Sequence, residues 1–283
     1  MNKQILLRRM GRSPFFVVGL SLALGVLLIC FVSPAFVVYD AEASSISERL
    51  LPPAGFAQGW QGHILGTDQL GRDVLTRLLI GGTASLLIAA AAVSLQVLTG
   101  SVLGIIAGYA GGVADKIIMR ACDVFLAFPN IILAIAVMAV MGTSVFNLIA
   151  VLTISGWVRY CKVVRNNVVV VKKQEFVSAS KVLGASNFHI MFQQILPNVT
   201  TPIIILASSR FGNAILVEAT LSFLNLGIPA PTPSWGNMIA DGRSYLATCP
   251  WLVLAPGIAL MITVLAFNFL GDGMRDVLDP KKV

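Results

Sequence analysis

The 283-residue sequence predicts an all-α integral membrane protein with six transmembrane helices. Three observations carry that prediction. Composition is the first: 57% of residues are hydrophobic, 12% are charged and the mean hydropathy is +0.85, where a soluble domain carries about 25% charged residues. The second is a set of uncharged stretches long enough to cross a bilayer, among them 78–114 and 124–158. The third is the uneven spread of the 20 Lys and Arg residues over the segments between them.

A spanning helix needs about 20 apolar residues at about 1.5 Å of rise each. The first candidate runs from Phe15 to Val38. It is longer than the ~7–15-residue core of a signal peptide, which favours a retained span over a cleaved leader. The second covers about 78–107 and ends at GYAGG (108–112), where paired glycines favour a turn. The 35 uncharged residues of 124–158 would overshoot a bilayer as one helix, and MGTSVFN (141–147) supplies a break. That stretch reads as two short antiparallel spans, the first opened by Pro129. A fifth span covers about 200–226 and a sixth about 251–270. The chain divides into an N-terminal part, 1–60 (tail, first span and start of an outer loop), and a core, 61–283.

Six spans place both termini on one side. If that side is inside, the inner segments hold 15 Lys and Arg: Lys3 to Arg12, Lys116 and Arg120, six between Arg159 and Lys181, and Arg275, Lys281 and Lys282. The outer segments hold Arg49, Arg72, Arg77 and Arg243, and Arg210 falls within a span. Basic residues collect on the cytoplasmic side, so both termini are expected there. The net charge of +7 then reflects topology and contact with the inner leaflet of the bilayer. No basic face interleaved with aromatics exists, which argues against nucleic acid.

With this orientation the longest inner loop spans about 172–199 and contains EFVSASKVLGASNFHIMFQQILPNV (175–199). Apolar or small residues fall at Phe176, Ala179, Ser180 and Leu183, then at Phe188, Met191, Phe192 and Ile195. Spacings of three and four give one stripe per helix. Gly184 separates the stripes and suits a sharp bend, and Pro197 is expected to close the second helix before the fifth span. A short amphipathic helix of this kind can lie on lipid, pack on its own protein or enter a groove of another protein. Its stripe of small residues, Ser178, Ala179 and Ser180, makes a poor lipid anchor; docking and a packed connector both remain open.

The loop resembles the EAA loop of ABC importer permeases, whose pattern is E-A-A, three residues, Gly, nine residues, Ile, one residue, Leu-Pro. Here Ser178-Ala179-Ser180, Gly184 and Leu196-Pro197 stand at that spacing. Two of the three opening positions differ, and Gln194 stands where the pattern has Ile. Longer blocks carry the resemblance further: HILGTDQLGRDVLTRLLIGG (63–82), GYAGGVADKIIMRACDVFLAFPNIILAI (108–135), LSFLNLGIPAPTPSWGNMIADGR (221–243) and VLAFNFLGDGMRDVLDP (264–280). They look like blocks of the second permease subunit of dipeptide, oligopeptide and nickel importers. The match covers about 60–280, and the first ~60 residues agree only in general character.

The resemblance implies a type I ABC importer permease fold in the bacterial cytoplasmic membrane. It also implies a second, homologous permease as heterodimer partner, two cytoplasmic ATPase subunits docked on the loops, and an extracytoplasmic binding protein that delivers a peptide or a nickel chelate. ATP and Mg would sit on the ATPases, so this chain is expected to be neither an enzyme nor a cofactor carrier. In the loop, the resemblance gives Ser178, Ala179 and Ser180 to the docking helix, Gly184 to the bend, and Leu196 and Pro197 to the junction with the fifth span, with Ala185 among the ATPase-coupling residues. Glu175 reads either as a specific contact or as a helix-start acid favoured by the dipole.

Other residues stand out on physical grounds. Arg210 and Glu218 lie inside the fifth span, where ionisable groups face protein or water. Eight residues is about 12 Å along a helix, too far for a direct pair; a pathway role and a partner in the neighbouring subunit both stay open. Asp68, Arg72, Asp73 and Arg77 precede the second span at helical spacing, with Asp73 and Arg77 able to pair at i,i+4. They read as an outer ledge for a partner or as a solvated interfacial helix. Trp235 and Trp251 read as interfacial anchors, and Gly100, Gly104 and Gly108 as a close-packing seam. Cys30, Cys122, Cys161 and Cys249 are expected to be buried small hydrophobes. His63 and His189 lack a second ligand at metal spacing. Two other functions compete with the importer: an ion-coupled secondary transporter or channel, for which only Arg210 and Glu218 are available inside a span, and a membrane anchor that recruits a cytoplasmic partner without transport.

Overall fold

The structure is a computed structural model, and it describes residues 9–37, 39–54 and 62–278. Lys3, Arg8, Lys281 and Lys282 of the basic set, and Val38 at the expected end of the first span, lie outside the described residues. Among the described residues the regular structure is helical throughout, apart from a single isolated bridge between Thr67 and Asp73.

Among the described residues, five helices are long and apolar enough to cross a membrane: α1 (Pro14–Val32, continuing as a 3-10 turn to Phe36), α2 (Val74–Ala110), α5 (Val145–Val171), α7 (Leu196–Phe223) and α9 (Trp251–Leu278). A bent pair, α3 (Gly112–Leu126) and α4 (Asn130–Met141), whose axes meet at 88°, makes a sixth candidate crossing when the pair is counted as one span. Two of the shorter helices are α6 (Glu175–Val182) and α8 (Trp235–Gly242). Side-chain caps fix several starts: Ser13, Asp73, Ser144 and Ser234 each accept a backbone N–H of the first turn.

This arrangement corrects the expected pair of short spans in 124–158. The third candidate crossing is the bent pair, with Pro129 at the N-cap of α4. The fourth is a full 27-residue helix that continues to Val171. Sequence placed its lower half in a loop because Arg159, Lys162 and Arg165 interrupt the apolar run. In the fold two of those cations reach sideways to α3: Arg165 grips Asp115 at 2.6 Å and 3.0 Å, and Lys162 meets Asp123 at 2.9 Å. Long basic side chains can keep an apolar stem in the helix packing while the charge finds water or a partner.

Helices α2 and α5 run parallel and in close contact, because Gly100, Gly104 and Gly108 lie along the seam. A Cβ on Gly104 would come within 2.6 Å of the Cys161 carbonyl, and one on Gly108 within 2.8 Å of Val168. The expected packing role of these glycines is therefore realised. Helices α1 and α9 pack antiparallel, with Gly19 against Leu270 and Gly273 against Phe16. Their loop-side ends, the start of α7 and the end of α2 share one end of the bundle, so both described chain ends lie on the side of the 172–199 loop.

All four cysteines are buried and free, as expected. Trp235 departs from expectation. It is 1% exposed and its indole N–H donates to the Leu78 carbonyl at 2.9 Å, so it is a core residue and not an interfacial anchor. A Trp buried in a dry core needs such a partner.

Candidate functional site

Between α5 and α7 the chain forms a short helix, a reversal and a re-entry into the bundle. Helix α6 begins with Glu175 in its first turn and ends with Lys181 in its last, both favourable to the helix dipole. Its C-terminus is a Schellman cap: Ala185 N–H donates to the Ser180 carbonyl at 3.0 Å, and Gly184 N–H to the Lys181 carbonyl at 3.1 Å. That cap requires a left-handed residue, and Gly184 supplies it with φ +81° and open space around its Cα. Ser186 then accepts the His189 N–H and starts the next helix. The bend expected at Gly184 is thus present.

Pro197 does not close a helix. Residues 187–223 run as one helical rod, with a π-helical segment at Ile190–Ile195 immediately before the proline. Proline offers no N–H and its ring crowds the carbonyl four residues back. Widening the preceding turn to π geometry accommodates both effects without breaking the rod. The loop therefore runs without a break into the fifth crossing.

One face of α6 is held and the other is free. Val177 is 1% exposed and packs with Ile105, Tyr109, Val168 and Ile190. Opposite, Val182 and Leu183 are 89% and 86% exposed, and Phe176, Ser178 and Ala179 are exposed as well. Ser180 is half-buried and its hydroxyl donates to the Phe176 carbonyl at 2.9 Å. The stripe of 176, 179 and 183 thus faces outward. Val177, which the spacing did not select, is the residue that anchors the helix.

Tyr109, at the end of α2, is the second anchor that the sequence reading missed. Its hydroxyl donates to Asn187 Oδ1 at 2.7 Å, and the ammonium groups of Lys172 and Lys181 stand over its ring, 5.3 Å and 5.2 Å from the centroid. Lys172 also donates to the Tyr109 carbonyl. The available signal was its place in GYAGG, directly before the turn into α3.

Arg210 and Glu218 occupy separate environments, as their spacing implies. Glu218 is fully buried and accepts the Ser222 hydroxyl at 2.7 Å. Arg210 is half-buried and lines a polar cavity together with Arg159, Asn130 and Asn213. At the opposite end of the bundle, Asp68, Arg72, Asp73 and Arg77 are all under 9% exposed. The expected Asp73–Arg77 pair is absent. Asp73 is the N-cap of α2, accepting Thr76 N–H at 2.7 Å, while its other oxygen meets His63 Nδ1 at 2.8 Å. Arg77 instead approaches Asp68 at 3.4 Å, beside the 2.7 Å Arg72–Asp68 bond. These residues form a buried ionic cluster, not a solvated helix face.

Comparison with known proteins agrees with this architecture. Residues 100–283 match the family model described as binding-protein-dependent transport system inner membrane component. The chain is 40% identical over 274 residues to the dipeptide transport system permease protein DppC of Alkalihalophilus pseudofirmus, covering 97% of this chain and 88% of the relative. It is 38% identical over 264 residues to the oligopeptide transport system permease protein OppC of Bacillus subtilis, covering 93% and 85%. Among solved structures, an inward-facing MetNI methionine ABC transporter chain superimposes with a TM-score of 0.57 at 17% identity, covering 71% of this chain and 96% of that one. At that identity the likeness concerns the fold alone. The chain belongs to the family of binding-protein-dependent inner-membrane transport components, the membrane-embedded permease subunits of ABC importers.

Proposed function

We propose that this permease imports short peptides, and that α6 is the helix on which an ATPase subunit docks. The observation that carries the docking is the contrast within α6: Val177 is buried while Val182 and Leu183 are almost fully exposed. Two large aliphatic side chains held out on an eight-residue helix suit a groove on a partner. The dipeptide and oligopeptide permeases at 38–40% identity support the substrate class. A second homologous permease completes the pathway as a heterodimer, an extracytoplasmic binding protein delivers the peptide, and ATP and Mg sit on two ATPases. The loop and both termini face the cytoplasm, in keeping with the basic residues gathered at that end. ATP binding moves α6, and the continuous rod from 187 to 223 carries the motion into the fifth crossing. Biasing a two-state element in this way needs only that the ATPases bind one state better. The 63–82 cluster, with Asp68, Arg72, Asp73 and Arg77, braces the outer end toward the binding protein. A nickel chelate is a second cargo class; among the described residues no three His, Cys, Asp or Glu side chains gather as metal ligands, so such a cargo would pass with its own chelator.

The test is to tag the chain, purify it gently and identify its companions by mass spectrometry, then reconstitute the complex. Two ATPase chains, a second six-span permease and ATP-dependent peptide uptake are expected. A chain that emerges alone and moves solute down an ion gradient would instead be a secondary transporter.

A further inference from the structure

A cavity lies between α2, α5 and α7 and reaches the start of α4, just after the 88° break that separates it from α3. Arg159, near the middle of α5, and Arg210, near the middle of α7, both line it, and no acidic residue does. Neither guanidinium has a carboxylate within ion-pair distance among the described residues. Tyr160 is 1% exposed, lines the same cavity and has a hydroxyl with no hydrogen-bond partner. Helix α4 begins here as well: Asn130 lines the cavity, and its N-cap, Pro129, supplies no side-chain acceptor for the first-turn N–H groups.

These features share one sign. Two cations, an unused hydroxyl donor and the positive end of a 12-residue helix converge on one space. Such a concentration of positive charge and free donors favours an anion between them. Arginine forks suit a carboxylate by geometry as well as by charge. Broken helices inside a membrane are tolerated where they line a cavity, and their free N-terminal N–H groups serve there as anion sites. We propose that the cavity at the α3–α4 break is a carboxylate-binding station of the translocation pathway, where Arg159 and Arg210 receive the C-terminal carboxylate of a peptide in transit. This rests on the peptide-importer reading above. It adds a specificity element in the permease itself: a free carboxylate at the peptide end.

The experiment reconstitutes the complete complex with its binding protein in liposomes and follows uptake of radiolabelled alanyl-alanine. Three forms are compared: the unaltered chain, the Arg159→Gln/Arg210→Gln double variant and the Arg159→Lys/Arg210→Lys double variant. The glutamine pair is expected to lower uptake at least about tenfold, the loss that follows when a charge-assisted hydrogen bond to the cargo goes. The lysine pair should recover much of it, and the second permease should co-purify with all three. Undiminished uptake by the glutamine pair overturns the site while leaving the importer reading intact. Loss of the second permease from the glutamine pair also overturns it, because the arginines would then answer a carboxylate of that subunit. Absence of peptide uptake by the unaltered complex defeats the importer reading, and the station with it.

Discussion

The Tyr109 hydroxyl donates a 2.7 Å hydrogen bond to Asn187 Oδ1, linking the end of α2 to the start of the rod that becomes the fifth crossing. The two residues are 78 apart in sequence, and the bond crosses the foot of the 172–199 loop. With Val177 beneath α6, it makes the loop part of the bundle. Tyr109→Phe removes only this bond, worth about 0.5–1.5 kcal/mol. Amide hydrogen exchange over 175–190 should accelerate several-fold in that variant while α2 and α5 stay protected. Unchanged exchange would mean that apolar packing alone fixes the loop.

Gly184 carries φ +81° in the Schellman cap of α6. Its Cα has open space around it, so backbone conformation and not crowding limits substitution. A left-handed conformation costs a branched or long-chain residue about 1–2 kcal/mol, and Asn less. Peptide uptake should therefore fall in the order Gly, Asn, Leu at position 184, with the complex still assembled. Equal uptake by all three would show that the reversal is not part of the lever.

Val182 and Leu183 are 89% and 86% exposed and contribute little to the fold. Val182→Ser/Leu183→Ser should leave thermal stability within about 0.5 kcal/mol of the parent. The same variant should lose ATPase co-purification several-fold. Full retention of the ATPases would place the docking surface elsewhere.

Asp68 holds Arg72 at 2.7 Å and lies 3.4 Å from Arg77, with all three residues buried. Asp68→Asn leaves two buried guanidiniums without their shared carboxylate, a change that costs about 3–5 kcal/mol. Asp241 meets Arg72 at 3.6 Å but its side chain is 43% exposed. Asp241→Asn should cost under about 1 kcal/mol. Thermal unfolding of the two variants in detergent should separate them clearly, and similar midpoints would remove the cluster from the list of stabilising elements.

On the α2–α5 seam, a Cβ at Gly104 would stand 2.6 Å from the Cys161 carbonyl oxygen. That neighbour is backbone and cannot rotate away. Gly104→Ala should destabilise by about 1–3 kcal/mol and Gly104→Val by more. Gly111, with nothing near its Cα, has φ +67° and should resist substitution through backbone strain alone. Comparing expression and unfolding of Gly104→Ala with Gly111→Asn separates crowding from strain.

Much of the fold was legible because a bilayer restricts the alternatives. Uncharged runs mark crossings, and GYAGG and Gly184 mark reversals. Errors arose where a local rule met a tertiary partner. Arg165 looked like the end of a span until Asp115 accepted it, and Pro197 looked like a helix stop until a π-turn made room. Trp235 looked like an interfacial anchor until the Leu78 carbonyl took its N–H. In the candidate site, Gly184 was readable from its own backbone requirement. Tyr109 and Val177 were not, since each matters only through residues far away in sequence.

By itself the sequence determined the membrane class, most of the candidate crossings and the place of the exposed loop, because hydropathy and charge act on each segment independently. The tertiary structure decided which face of α6 is free, that 187–223 is one rod, that Asp68 and not Asp73 takes Arg77, and that Arg159 and Arg210 share a cavity. Those outcomes depend on distance between segments, which a linear chain does not contain until packing brings the segments together.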